Sequence, residues 1–251
     1  MIHFVGAGPG DVDLITVKGR RLMEGADVVI YAGSLVSEEH LAVCREDAQF
    51  YNSAKMTLDE VLSVMREAEA KGLDTVRLHT GDPSIYGAIQ EQMDALKEDG
   101  IAFEVVPGVS SFTAAAAAIE HEFTLPGVSQ TVIITRRAGR TPVPGRENIT
   151  DLARHGASMA IFLSVGSLAE LTEELAEGYG SWDVPIAVIY RATWPDEKRV
   201  LGTLRDITQK VRDEKIVKQA QILVGPFLDS AYDLSKLYDP SFTTEYRQGT
   251  E

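Results

Sequence analysis

The chain is poor in several features that would have narrowed its class at once. Among 251 residues there is a single cysteine, Cys44. It can form no disulfide within the chain, it suits a reducing compartment, and it is expected as a small, partly buried residue. Histidine is scarce as well. His3, His40, His79, His121 and His155 show no pair at metal-ligand spacing, so no metal site is predicted. Long apolar runs are missing too. Ala114–Ile119 and Ala157–Val165 are the longest candidates, far short of the roughly 20 residues a membrane helix needs. No basic stretch followed by an apolar one opens the sequence. MIHFVGAG reads directly as a strand and a glycine turn, so a cytoplasmic protein without a signal peptide is expected. Positive charge is in deficit, with 24 Lys and Arg against 38 Asp and Glu and a net charge of −14. A face for general nucleic-acid binding is therefore not expected. An anionic small molecule is not excluded, because a few local arginines and backbone amides can hold one.

What is present is an ordinary globular composition, 44% hydrophobic and 25% charged, on a length that suits one large domain or two small ones. Short β-branched runs alternate with longer amphipathic stretches. Ile2–Val5, Val28–Ile30, Thr75–His79 and Phe103–Val106 read as strands. Thr16–Glu24, Thr57–Lys71 and Tyr86–Glu98 read as helices between them. Thr57 with Glu60 forms a capping box, and Leu58, Val61, Leu62 and Met65 recur at helical spacing. This is an α/β unit with a mostly parallel sheet. A second unit follows, with strands at Thr131–Thr135, Met159–Leu163, Ile186–Tyr190, Arg199–Thr203 and Ile222–Val224. Its helices are expected at Leu168–Glu177 and Leu204–Arg212. The Pro-Gly turn near Glu120–Gly127 places the junction there, giving domains 1–120 and 121–251. The tail after Leu228 has no clear period.

Three glycine-bearing turns each follow a strand of the first half. Gly6–Asp11 (G-A-G-P-G-D) invites comparison with the dinucleotide fingerprint G-x-G-x-x-G. The third glycine is replaced by Asp11, and the nearest acidic candidate, Asp27, lies before the second strand rather than after it. NAD binding is disfavoured on both counts. No glycine run closes with Gly-Lys-Ser/Thr, so there is no P-loop. At Thr80–Gly87 (T-G-D-P-S-I-Y-G), Gly81 allows a close backbone approach, and Asp82 can accept hydrogen bonds from an amine or ribose hydroxyls. Equally, Asp82 and Ser84 could cap a helix starting near Tyr86. At Val106–Ser111 (V-P-G-V-S-S), Ser110 and Ser111 sit where a helix begins, and capping is again the plain alternative. Ligands of open α/β sheets gather beyond the carboxyl ends of strands, so all three turns could line one rim.

These three turns, in order, with Arg191-Ala-Thr-Trp-Pro and Gly202-Thr-Leu in the second half, resemble the tetrapyrrole methyltransferase family. Within it, Tyr31–Val36, Thr124–Thr131, Arg136–Pro144 and Ser235–Pro240 are similar to a branch that methylates C11 of a corrin precursor, precorrin-4 or its cobalt form. The resemblance implies two αβα domains with a cofactor cleft between them, a homodimer, and a role in cobalamin biosynthesis. It implies S-adenosylmethionine as methyl donor, S-adenosylhomocysteine as product, and a small-molecule tetrapyrrole as acceptor. Carried over by position, Pro9, Thr80, Gly81, Asp82, Ile85, Ser110 and Ser111 would contact the cofactor from the first domain. Leu163, Ala192 and Ala220 would form its adenine pocket from the second. Several relatives have Met-Gly after the aromatic where this chain has Leu163-Ser164, and ordinary core is the alternative for Leu163.

Methyl transfer from a sulfonium is an in-line displacement from an activated donor. It requires no metal, and orientation is its main lever. A carboxylate against the sulfur would stabilise the cationic ground state more than the transition state. Asp82 is therefore expected to face amino or ribose groups. The acceptor carbon becomes quaternary and loses no proton, so no catalytic base is assigned. Arg136, Arg137 and Arg140 form the densest basic loop of an acidic chain and are the candidates for the substrate's carboxylates; a solvated charge cluster is the alternative. Three competing functions stand beside this one. They are a sister methyltransferase acting at another ring carbon, a protein- or RNA-directed enzyme of the same fold (diphthamide synthesis or ribose methylation), and a non-catalytic nucleotide-binding module.

Overall fold

The structure is a computed structural model that describes residues 1–33 and 35–250. Ser34, inside the Tyr31–Val36 motif, lies outside the described residues. The chain forms two compact units, Met1–Ala114 with Arg191–Lys198, and Ala115–Tyr190 with Arg199–Glu251.

The first unit runs β1 (Ile2–Gly6), α1 (Val17–Gly25), β2 (Val28–Tyr31), β3 (Gln49–Asn52), α2 (Leu58–Ala70), β4 (Thr75–His79), α3 (Gln90–Glu98) and β5 (Phe103–Val106), and α4 (Ser111–Ala118) begins in it. Its sheet has the order β3-β2-β4-β1-β5, and every neighbouring pair is parallel. β1 and β4 are buried along their whole length, as strands of a parallel sheet covered on both faces must be. Alternate residues serve opposite faces. Ile2, Phe4, Val28 and Ile30 pack with Val61, Leu62 and Met65 of α2 and Leu96 of α3. Val5, Val29, Val76 and Leu78 pack on the other side with Met23 of α1. Each such side chain contributes about 1.5–3 kcal/mol of transfer free energy. The expected capping box is formed, with Thr57 and Glu60 bonding reciprocally at the start of α2.

The second unit contains β6 (Val132–Arg136), α5 (Ile149–Ala153), β7 (Ser158–Phe162), α6 (Leu168–Tyr179), β8 (Pro185–Tyr190), β9 (Lys198–Thr203), α7 (Ile207–Asp213) and β10 (Ala220–Val224). Its order is β6-β7-β10-β8-β9. β6 and β7 are parallel, but β10 runs antiparallel to both β7 and β8. Met159, Ile161, Ile186, Val188, Ile222 and Val224 supply the sheet's share of a core completed by Leu171 and Leu175 of α6 and Ile207 and Val211 of α7.

Several elements depart from the sequence expectations. The helix expected from Tyr86 begins only at Gln90. Tyr86 and Ala88 take φ of 56° and 50°, which no right-handed helix accommodates. Asp82 and Ser84 therefore do not cap it, and the residue before it, Ile89, makes no side-chain cap. β7 stops at Phe162 because Leu163 turns to φ 53°. α7 starts at Ile207 rather than Leu204. β3 and the short α5 were not foreseen. Among the described residues, no helix is long and apolar enough to cross a membrane. The tail forms one short helical turn, Lys236–Tyr238, and exposes Leu234, Tyr238 and Tyr246.

Candidate active site

The glycine turns are brought together by strand order. β4, β1 and β5 are neighbours in the first sheet, so their carboxyl ends emerge side by side. Ala7 donates to the His79 carbonyl at 2.7 Å, and Gly8 and Gly81 bond reciprocally at 3.3 and 2.8 Å. A methyl on Gly6 would lie 2.6 Å from both the Gly108 Cα and the Gly81 carbonyl oxygen, and Gly108 is equally hemmed in by Gly6 and Gly81. Three main chains approach so closely that only glycine fits at Gly6 and Gly108. Gly8 and Gly81 also occupy the left-handed region, at φ 81° and 60°.

Asp82 fastens the second turn to the third. One carboxylate oxygen accepts from the Ser84 amide at 2.8 Å and from the Ser84 hydroxyl. The other accepts from the Gly108 amide at 2.9 Å. A carboxylate offers about four lone-pair directions. Three are used internally, leaving one on the Gly108-bound oxygen for a ligand. Burial pushes the Asp82 carboxyl up, but the bonds from Ser84 and Gly108 outweigh it and its pKa lies below the ordinary value. The group is thus ionised at neutral pH. Thr80 and Ile85 are half-buried on either side of it, and the Ile85 amide donates to the Asp82 carbonyl at 3.2 Å. Ser110 is buried, and its carbonyl accepts from Thr113 Oγ1 and from the Ala114 amide at the start of α4. Ser110 and Ser111 both lie at van der Waals distance from a side chain built at Gly81. Pro9, Thr80, Gly81, Asp82, Ile85, Ser110 and Ser111 are therefore one cluster.

Ala192 belongs with this unit, in the segment Arg191–Lys198. Trp194 Nε1 donates to the Pro9 carbonyl at 2.9 Å, and the Asp11 amide donates to Thr193 Oγ1 at 3.0 Å. On the other side of the turn, His40 Nε2 lies 2.9 Å from the Ala7 carbonyl. That oxygen can only accept, so this ring nitrogen carries the proton. His40 is buried, and burial lowers its pKa. His79, just before Thr80, is driven down to about 3 by burial and by the adjacent Arg77. Both rings are neutral at physiological pH. His40 and Trp194 were not singled out from sequence. The Arg191–Pro195 motif contained Trp194 but gave no sign of where its indole points.

In the second unit, Leu163 follows β7, and Ala220 opens β10. The antiparallel register, Ile222 opposite Ile161, brings Ala220 level with Leu163 when carried two residues further. Leu163 is 73% exposed, so it is not core. The loop arginines differ sharply from one another. Arg136 donates to the carbonyls of Thr141 and Pro142 at 3.0 and 2.7 Å. Arg137 bonds Glu174 from two nitrogens, at 2.9 and 2.8 Å, and that hydrogen bond raises its pKa further. Arg140 is exposed and has no partner among the described residues. No three His, Cys, Asp or Glu side chains gather at metal-binding distance among those residues either.

Residues 1–208 match the model of the tetrapyrrole (corrin/porphyrin) methylases, and the chain belongs to that family. Within it, the chain is 55% identical to the cobalt-precorrin-4 C(11)-methyltransferase of Methanocaldococcus jannaschii, over 98% of this chain and 96% of that protein. It is 48% identical to the precorrin-4 C(11)-methyltransferase of Pseudomonas aeruginosa, over 99% of both. Its fold superimposes on the X-ray structure of a cobalamin biosynthetic enzyme, cobalt precorrin-4 methyltransferase, with a TM-score of 0.89 and 49% identity, covering 91% of this chain and 96% of that one. A uroporphyrin-III C-methyltransferase from Thermus thermophilus, crystallised with S-adenosylhomocysteine, matches at TM-score 0.76 and 26% identity over 90% of this chain and 98% of that one.

Proposed function

We propose that this chain transfers a methyl group from S-adenosylmethionine to C11 of precorrin-4 or cobalt-precorrin-4 in cobalamin biosynthesis. The observation that carries it is near full-length agreement, at 55% and 48% identity, with relatives bearing that activity in their names. We further take Pro9, Thr80, Gly81, Asp82, Ile85, Ser110, Ser111, Leu163, Ala192 and Ala220 as contacts of the cofactor. The first-unit cluster fits such a ligand. It offers an ionised carboxylate with one open acceptor direction, suited to an ammonium or a ribose hydroxyl, on a rim cleared of side chains. The exposed Leu163 beside Ala220 offers an apolar surface suited to adenine. Arg136, Arg137 and Arg140 are proposed for the tetrapyrrole's carboxylates. A working division into domains 1–120 and 121–251, a homodimeric state, a cytoplasmic location and independence from nucleic acid complete the proposal.

S-adenosylmethionine brings an already activated methyl, so the protein's task is orientation, worth up to roughly 7–11 kcal/mol in favourable cases. The interlocked glycine turns suit that task, since their main chains are in direct contact and bonded to one another. The neutral His40 and His79 add no charge next to a donor that loses positive charge in the transition state.

Purified protein incubated with labelled S-adenosylmethionine should methylate precorrin-4 or its cobalt form and leave uroporphyrinogen III unchanged. Calorimetry should show binding of S-adenosylhomocysteine and none of NADH. Turnover of uroporphyrinogen III alone would move the chain to a sister activity, and binding of NADH alone would end the proposal.

A further inference from the structure

Almost every main-chain polar group of the first glycine turn is already engaged. Ala7 is held at its amide by His79 and at its carbonyl by His40. Both polar groups of Gly8 bond Gly81, and Pro9 has no N–H. The carbonyl of Asp11 accepts from the Leu14 amide. The Pro9 carbonyl and the Asp11 amide are taken by Trp194 and Thr193. These two residues lie 185 and 182 residues further along the chain than their partners. Arg191 and Thr193 sit at φ 47° and 70°, conformations that persist only where surroundings over-determine them. The surroundings do so here. Arg191 Nη1 bonds Asp196 at 2.6 Å, the Thr193 amide bonds Glu197 at 2.7 Å, and the Arg191 guanidinium lies 4.0 Å from the centre of the indole ring. Gly10 records the result, because a methyl there would fall on the Trp194 ring.

We infer that Trp194 is a positioning residue: its indole pins the Arg191–Lys198 segment to the first glycine turn, and so sets Pro9 and Ala192 in register for the cofactor. This rests on the proposed function in taking Pro9 and Ala192 as cofactor contacts. The indole supplies two separable things, a donor to Pro9 and a flat surface that fills the space over Gly10. Gly10 lacks a side chain for the sake of that surface, not for a positive φ.

The test is a set of three variants, read by calorimetry with S-adenosylhomocysteine and by hydrogen exchange at the Asp11 amide. Trp194→Phe keeps a ring and loses the donor, so it should weaken binding about three- to tenfold, the cost of one hydrogen bond. Trp194→Ala should weaken it more than tenfold and speed exchange at Asp11. Gly10→Ala should weaken binding by displacing the indole, and in the Trp194→Ala background the same change should add little, because contacting residues do not act additively. The tetrapyrrole KM at saturating cofactor should move less than cofactor affinity in each case. Unchanged affinity in Trp194→Phe and Trp194→Ala, with only the melting temperature lowered, would make the indole ordinary packing and overturn the inference. Fully additive losses from Gly10→Ala and Trp194→Ala would overturn it as well. A parent protein that bound no S-adenosylhomocysteine would instead remove the functional proposal beneath it.

Discussion

The two sheets build their rims by opposite means. In the first unit, adjacent parallel strands end in turns whose points of closest approach are glycine, and Gly6, Gly81 and Gly108 let three main chains touch. In the second, the sheet is mixed, and its rim keeps side chains on residues bent into the left-handed region. Leu163 and Gln219 have φ of 53° and 56°. Ser164 braces the turn after β7 by donating to the Phe162 carbonyl and accepting from the Arg137 amide. One rim brings backbone close to a ligand; the other turns an apolar side chain outward. Glycine can do the first at no steric cost, whereas a left-handed leucine costs about 1–2 kcal/mol and persists only where its surroundings over-determine it.

Exchanging the two strategies should give the largest effects. Gly108→Ala places a methyl 2.8 Å from the Gly6 Cα and against the Gly81 carbonyl, and neither backbone can yield. A loss of about 3 kcal/mol of stability is expected, at the upper end of ordinary overpacking, with cofactor affinity lost alongside it. Leu163→Gly does the reverse. It relieves a strained φ and removes an exposed side chain, so stability should hold or rise by about 1 kcal/mol while S-adenosylhomocysteine binds more weakly. Denaturant unfolding beside calorimetry reads both. If Leu163→Gly bound the cofactor as the parent does, the outward leucine would have no part in the site.

That contrast also explains what could be read from the sequence. Strands β1, β4 and β5 announce themselves as β-branched runs, each closed by a glycine turn, and the parallel sheet follows from the alternation with helices. The convergence of the turns was legible as far as their common position after strands. The edge strand β3, Gln49-Phe50-Tyr51-Asn52, offers the core only Tyr51, with Gln49 and Phe50 both exposed, and so gives no period. Residues 86–89 read as the first turn of a helix because they permit one, while the structure spends them on a loop with Tyr86 and Ala88 at positive φ. The Gln92 side chain of α3 steadies that loop by donating to the Ala88 carbonyl at 2.9 Å. The bond from Trp194 to Pro9 joins residues 185 positions apart and leaves no mark in composition or spacing.

Asp82 sharpens the account of the first rim. Its carboxylate ties the second turn to the third, so Asp82→Ala should lower both stability and cofactor affinity, each by about 1–2 kcal/mol. That is the lower part of the range for hydrogen bonds to a charged group, reduced because the site is partly solvated. A residue that served only as a ligand contact would leave stability intact. Because the folded-state pKa is depressed, the carboxylate's contribution is complete above the ordinary range of an unfolded aspartate and disappears as pH falls through the folded value. Acid unfolding curves should show that step in the parent and a smaller one in Asp82→Asn, which keeps the shape without the charge. Superimposable acid limbs would mean that the Ser84 and Gly108 bonds do not depend on ionisation.

The smallest effects belong to the arginine loop of the second unit, where three similar residues are committed differently. Arg136 holds the carbonyls of its own loop, and Arg137 is bound to Glu174. Arg140 alone has an exposed guanidinium with no partner among the described residues. A polycarboxylate can recruit Arg140 without breaking an existing bond, whereas recruiting Arg137 means competing with Glu174. Arg140→Ala should therefore raise the tetrapyrrole KM about three- to tenfold and leave S-adenosylhomocysteine affinity and the melting temperature unchanged. Lys should rescue only in part, because an ammonium cannot present the planar pair of donors that a carboxylate accepts. Arg137→Ala should lower the melting temperature slightly, through loss of a half-buried ion pair, and Arg136→Ala should loosen the loop. The Arg140 effect should shrink as salt is added, since exposed charges are screened within about 10 Å at 0.1 M. If Arg140→Ala left KM untouched while Arg137→Ala raised it, the substrate would be displacing Glu174, and the pair would be a latch that opens on binding. If none of the three variants changed KM, the loop would be solvated surface and the carboxylates would be held elsewhere.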